Sequence, residues 1–198
     1  MQPLSRAFYN RDAVLVAREC LGKLLVRSGR GGRVVGRIVE AEAYLSRDDS
    51  ACHAFKGLNR KNATMFGPPG HAYVYVIHAR HCVNLVTEGS RGASAVLIRA
   101  LEPLAGLKAM ANRRGKDDLG ELARGPAKLC EALDIDRALN GWDLTLGRKL
   151  WLADDGFAAP EIKVSPRIGV TSAHDLPLRF YLPRNRFVSR LTRAERQP

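Results

Sequence analysis

Apolar and polar positions along the chain fall into short runs with alternately helical and extended spacing, set apart by turn residues. Over residues 12–21, Val14, Leu15, Arg18 and Leu21 recur at helical spacing and Gly22 supplies a stop, which predicts a helix. Residues 23–27 and 33–44 read as two strands joined by Ser28-Gly29-Arg30-Gly31-Gly32, a hairpin. These glycines are not a phosphate loop, because no Gly-Lys-Ser/Thr follows and no helix begins there. Residues 47–70 are polar and loop-like, closing on Gly67-Pro68-Pro69-Gly70. Further strands are expected at 71–77, 93–101, 144–152, 167–170 and within 178–187, with a short apolar stretch at 83–86. Helices are expected at 104–113 and 125–133, the second with Pro126 in its first turn, and 114–120 reads as a charged loop. Strands and helices mix without a regular β-α-β alternation. That pattern predicts a single α+β domain over 1–198, built on mostly antiparallel sheet.

Composition leaves this picture intact and charge adds to it. The 198 residues suffice for one well-filled core, and 45% hydrophobic with 26% charged is ordinary for a globular domain. The balance of sign is not ordinary: 32 Lys and Arg stand against 20 Asp and Glu, a net charge of +12. A sequence pI near 10.1 is the electrostatic footprint of a nucleic-acid binder. An anionic membrane surface or an acidic substrate would also be served by it. The excess includes a basic tail of Arg184, Arg186, Arg190, Arg193 and Arg196. There is no apolar run of transmembrane length and no signal-peptide order at the N-terminus, so a cytoplasmic protein is expected. Cys20, Cys52, Cys82 and Cys130 are scattered and read as reduced, mostly buried thiols.

Candidate chemistry concentrates on two strands. Glu40, Glu42 and Tyr44 alternate along one face of the 33–44 strand, with apolar Val39, Ala41 and Ala43 on the other. A carboxylate on a strand face is ordinarily a solvated surface group. A tyrosine beside carboxylates on a basic protein is, however, a natural platform for a nucleic-acid base. Tyr73 and Tyr75 repeat the pattern on another strand, where plain aromatic packing is the competing explanation. His78, His81 and Cys82, with Cys52 and His53 upstream, raise the question of zinc, but no pair has finger spacing and the deaminase signature is absent. No metal site is assigned.

Together the motifs resemble the alkyladenine (3-methyladenine) DNA glycosylase family, in family order over about residues 13 to 190. The matching runs are Arg37-Ile38-Val39-Glu40-Ala41-Glu42-Ala43-Tyr44, Ser50-Ala51-Cys52-His53, Met65 to Tyr75, Val83-Asn84, Val96 to Pro103, Gly125 to Cys130, Arg167-Ile168-Gly169-Val170 and Pro177 to Tyr181. The resemblance implies a bacterial member with a compact α+β fold, its curved sheet flanked by helices. It also implies an enzyme acting as a monomer on double-stranded DNA at the nucleoid. Its reaction would be hydrolytic removal of alkylated purines, without a cofactor, leaving an abasic site.

By the same resemblance Glu42 is the general base, with the Arg99 side chain and the Ile168 carbonyl positioning the water. Tyr44, His53 and Tyr75 surround the flipped base, and Asn84 crowds the exocyclic amine of normal guanine. The family's wedge position, usually tyrosine followed by glycine, holds His78 and Ala79 here, and the 78–84 segment is one residue shorter than usual. His78 is the expected wedge, with Arg80 the alternative. A basic, non-catalytic nucleic-acid-binding module on the same fold is the competing function.

Overall fold

The longest run of extended pattern in the sequence becomes the middle of the sheet. The computed structural model of the chain describes residues 1–89 and 92–190, so Arg193 and Arg196 lie outside the described residues. Among these, five helices and eight strands follow in the order α1 (Arg6–Tyr9), α2 (Ala13–Glu19), β1 (Leu24–Gly29), β2 (Gly32–Tyr44), β3 (Ala72–Ile77), β4 (Arg80–Val86), β5 (Ala95–Ala105), α3 (Leu107–Arg114), α4 (Leu119–Leu122), α5 (Pro126–Ala132), β6 (Leu150–Ala153), β7 (Lys163–Ser165) and β8 (Arg179–Tyr181). The fold is α+β, and every strand pair is antiparallel, in the order β3-β4-β5-β2-β1-β6. β2 spans 13 residues, enough for β1 to pair with its first half and β8 with its second half along the same edge. β5 pairs with nearly its whole length on the other edge.

Helices α2 and α5 pack on one side of this sheet, against β2, β4 and β5. Together they enclose the main apolar core. α2 begins where Asp12 Oδ1 accepts the Val14 and Leu15 amides at 2.9 and 3.2 Å, satisfying donors that have no partner within the helix. Its buried face is Ala13, Val16, Ala17 and Cys20. Leu15 is instead 49% exposed, so the apolar spacing fixed the helix but not the side it buries. The other side of the sheet is covered by the 45–66 loops around a smaller cluster of Cys52, Ala54, Met65, Tyr73, Val86, Ala93 and Ala95.

Several expected boundaries move. β5 runs on to Ala105, and the helix starts three residues later than expected, at Leu107. Gly106 makes the corner at φ +76, where a Cβ would stand 2.8 Å from the Arg33 carbonyl oxygen. The expected strand at 144–152 splits into a 3-10 turn at Leu144–Leu146 and the short β6. Residues 167–170 form no strand; the ladder partner is β7, just upstream, and 167–170 loops over the end of β2 with its polar groups turned to side chains there. Of the expected 178–187 strand, Arg179–Tyr181 forms β8, with Leu178 and Leu182 bonded to β2 on either side of it. Within the expected 114–120 loop, Asp118 accepts the Gly120 amide at 2.8 Å and starts α4.

Candidate active site

The carboxylates of β2 are not solvated. Glu40 and Glu42 are both 0% exposed, so the strand is buried on both faces rather than on one. A bare carboxylate in such a place would be neutralised or expelled. Here two guanidiniums balance the two carboxylates. Glu40 Oε1 accepts from Arg99 Nε at 3.0 Å and Arg179 Nε at 2.7 Å, and both its oxygens accept from Ser189. Four scaffold donors thus meet Glu40, three on Oε1 and one on Oε2, which marks it as a structural group.

Arg99 reaches the carboxylates because the β2–β5 register slips around Glu40. Ile38 pairs with Leu101, Glu40 with Ala100 and Ala41 with Ile98, leaving Val39 and Arg99 without direct partners. Such a double irregularity re-aims side chains. Burial by itself would favour the neutral form of Arg99, but Glu42 and Glu40 outweigh it and hold the guanidinium charged.

Glu42 is held differently from Glu40. Its Oε2 accepts from Tyr44 Oη at 2.9 Å and Arg99 Nη1 at 3.1 Å, and its Oε1 accepts the Ile168 amide at 2.8 Å. A carboxylate offers about four acceptor sites, so among the described residues one remains, on Oε1. Burial, then the Glu42 charge, pushes the Tyr44 phenol well above its usual range, which keeps it a donor. The Ile168 carbonyl lies 3.5 Å from Arg99 Nη1. Arg99 and Ile168 line a cleft of about 670 Å³ together with Tyr44, Tyr75, His78, Lys128 and Arg190, and Glu42, bonded to both, is itself wholly buried.

Sheet register carries the site sideways. Glu42 lies opposite Leu97, Leu97 opposite Asn84, and Asn84 opposite Tyr73, one row across β2, β5, β4 and β3. Asn84 is 4% exposed and its Nδ2 donates to the Tyr73 carbonyl at 3.0 Å, so the amide is fixed in the wall. Tyr44, His53, Tyr73, Tyr75 and Asn84 close a slot with only about 20 Å³ free, room for about one water. The His53 ring stands edge-on to Tyr75, with centroids 4.7 Å apart, and its Nδ1 lies 2.9 Å from Tyr73 Oη. Burial holds His53 below its usual range, toward the neutral, flat aromatic form.

The remaining expected site residue is at the far end of the cleft. His78 and Ala79 form the two-residue turn between Ile77 and Arg80, with φ of +47 and +59. This left-handed pair is the hairpin geometry that asparagine and glycine favour. The two residues, with Val76, Ile77 and Arg80, are exposed at the tip.

The structure therefore gathers Glu42, Tyr44, Arg99 and Ile168 within direct contact, and His53, Tyr75 and Asn84 around the adjoining slot. The sequence pairs Tyr73 with Tyr75 but assigns it no role, and it does not single out Arg179, Ser189, Asp49 or Arg167 for the site. For Tyr73 a signal existed, since it precedes Tyr75 by two positions and shares its face; the others are long-range partners. Among the described residues, no group of three metal-binding side chains is gathered, and His78, His81, Cys52 and Cys82 form no such set. All four cysteines are buried free thiols. No helix among the described residues is long and apolar enough to cross a membrane.

Comparison with known proteins gives a consistent answer. Residues 7–186 match the family model described as methylpurine-DNA glycosylase. The chain is 48% identical to a protein of Carboxydothermus hydrogenoformans, covering 94% of this chain and 98% of that one. It is 47% identical to one from Koribacter versatilis, over 96% and 94% of the two chains. It is 50% identical to one from Methanocella arvoryzae, over 91% and 92%. Each of the three is named "Putative 3-methyladenine DNA glycosylase".

Proposed function

The chain belongs to the methylpurine-DNA glycosylase family, and from that premise we propose that it hydrolyses the N-glycosidic bond of alkylated purines in double-stranded DNA. The substrates are 3-methyladenine and 7-methylguanine foremost, with hypoxanthine and ethenoadenine slower. The product is an abasic site in an uncut strand, and the enzyme works as a monomer at the cytoplasmic chromosome.

A base inside a duplex is out of reach, so the nucleotide must swing out, at a cost of a few kcal/mol. Tyr44, His53 and Tyr75 offer aromatic faces that return about 1–3 kcal/mol per stacked base. They also attract the positive charge of an alkylated purine. Because the slot is nearly closed in the absence of DNA, the rings must part to admit the base, which opposes casual entry. Asn84, held by the Tyr73 carbonyl, crowds the exocyclic amine of guanine.

The observation that carries this proposal is the single acceptor site left on the otherwise fully engaged, buried Glu42. A water placed there donates to Oε1 and lies within reach of Arg99 and the Ile168 carbonyl. As the bond to the base breaks, its electron pair leaves with the cationic purine, which departs neutral. The water oxygen bonds to C1′ and its proton passes to Glu42, whose charge also stabilises the oxocarbenium-like transition state. No metal or cofactor enters this scheme. Neutral lesions need protonation to leave, hence their lower rank. His78 fills the gap in the helix.

A release assay across alkylated, deaminated and ethenylated duplexes tests the proposal. Free base with an alkali-labile strand is expected from the alkylated purines. Binding without release from every substrate would replace it with a non-catalytic binding module.

A further inference from the structure

Beside the water site lies an ion pair that the reaction as described does not use. Asp49 and Arg167 have fully buried side chains, 0% accessible on both partners. Arg167 Nη2 and Nη1 donate to the two Asp49 oxygens at 2.6 Å each, a paired fork. The same guanidinium donates to the Ala43 carbonyl at 3.0 Å and the Ala173 carbonyl at 3.3 Å. Its carbon lies 4.6 Å from the centre of the Tyr44 ring. Asp49 in turn accepts the Leu45 amide at 3.0 Å and the Ala51 amide at 3.1 Å.

One pair thus fastens three pieces of chain. The first is the end of β2, through the Ala43 carbonyl and the Tyr44 ring. The second is the 45–51 loop, which leads directly into Cys52 and His53. The third is the 167–173 segment, whose next residue, Ile168, gives its amide to Glu42 and its carbonyl to the water site. The Arg167 Nε is buried without a hydrogen-bond partner, a cost that a purely cohesive contact would have no reason to carry. Buried ion pairs are in any case a poor source of stability compared with well-packed apolar residues. What the fork and the stacked ring supply is angular definition, because a planar guanidinium fixes both its partners and its own plane.

We infer that Arg167 and Asp49 are positioning residues for base release, setting the Ile168 backbone and the Tyr44 ring about Glu42 while the base and the water are held. This rests on the glycosylase function proposed above. Misplacing reacting groups by about 1 Å can cost 100-fold in rate.

The test is single-turnover release of 3-methyladenine by Arg167→Lys, which keeps the buried charge but loses the planar fork and the ring contact. Active enzyme is counted from the burst amplitude at near-stoichiometric duplex. The expected result is a rate constant about 100-fold lower, with full amplitude and unchanged duplex affinity. The double variant Asp49→Asn with Arg167→Gln, which buries no lone charge, is measured in parallel so that folding of either one suffices. A normal rate constant in the active fraction, with or without lost amplitude, overturns the inference and leaves the pair a folding element. Absence of release by the unaltered protein would instead overturn the proposed function, so the two failures are told apart.

Discussion

The two ends of the cleft are built on opposite terms. At one end Glu42 and Glu40 are wholly buried, and donors from β5, β8, the 167–173 segment and the Ser189 turn meet them. At the other end His78 and Ala79 stand in solvent in a left-handed turn that neither residue type favours. On the proposed mechanism the first end is complete before DNA arrives, and the second is completed only by the duplex. Electrostatic catalysis needs groups already oriented when charge develops, so rigidity belongs at Glu42. Filling a gap in a base stack needs reach, so an exposed tip suits the wedge role proposed for the hairpin.

The largest effect expected on stability lies at the buried end. Glu40→Ala leaves Arg179 and part of Arg99 unpaired in the interior and should cost about 3–5 kcal/mol, lowering Tm on the order of 10 °C. A thermal melt within about 2 °C of the unaltered protein, the scale of a fraction of a kcal/mol, would show that the ion cluster is not what holds β2, β5 and β8 together. At the exposed end the effect should fall on activity instead. His78→Ala should slow release from duplex about tenfold, the scale of one lost stacking contact, and leave release from single-stranded DNA unchanged. If Arg80→Ala shows that selective loss and His78→Ala does not, the wedge is Arg80. Replacing His78-Ala79 by Asn-Gly should sharpen the contrast further, raising stability by about 1 kcal/mol while reducing duplex release. The smallest effect is electrostatic: Arg190→Ala, at the cleft margin, should weaken binding to undamaged duplex and lower the slope of log affinity against log salt by about one.

How far the sequence foretold this depends on how local each feature is. The long β2 pattern, the β1–β2 hairpin and the Pro126 helix were legible because spacing and turn residues act over a few positions. The 104–113 helix began too early because Leu104 and Ala105 suit either element, and only the corner at Gly106, pressed against Arg33, decides between them. Residues 167–170 carry an apolar pattern fit for a strand, yet their polar atoms are claimed by Glu42 and Asp49, more than a hundred residues earlier. The alternation of Glu40, Glu42 and Tyr44 was visible, whereas the burial of both carboxylates was not, because it depends on Arg99 and Arg179 arriving from other strands. For the same reason composition and spacing alone could not separate Glu42, met by three donors, from Glu40, met by four.

That separation is the centre of the account, and single-turnover release of 3-methyladenine from duplex DNA by Glu42→Gln tests it most directly. The amide preserves size and some hydrogen bonding but can neither take the proton nor offer the charge. Release should fall by orders of magnitude, on the order of the 100- to 10,000-fold that general-base catalysis supplies, with duplex affinity retained. Release at the unaltered rate would remove Glu42 from the mechanism.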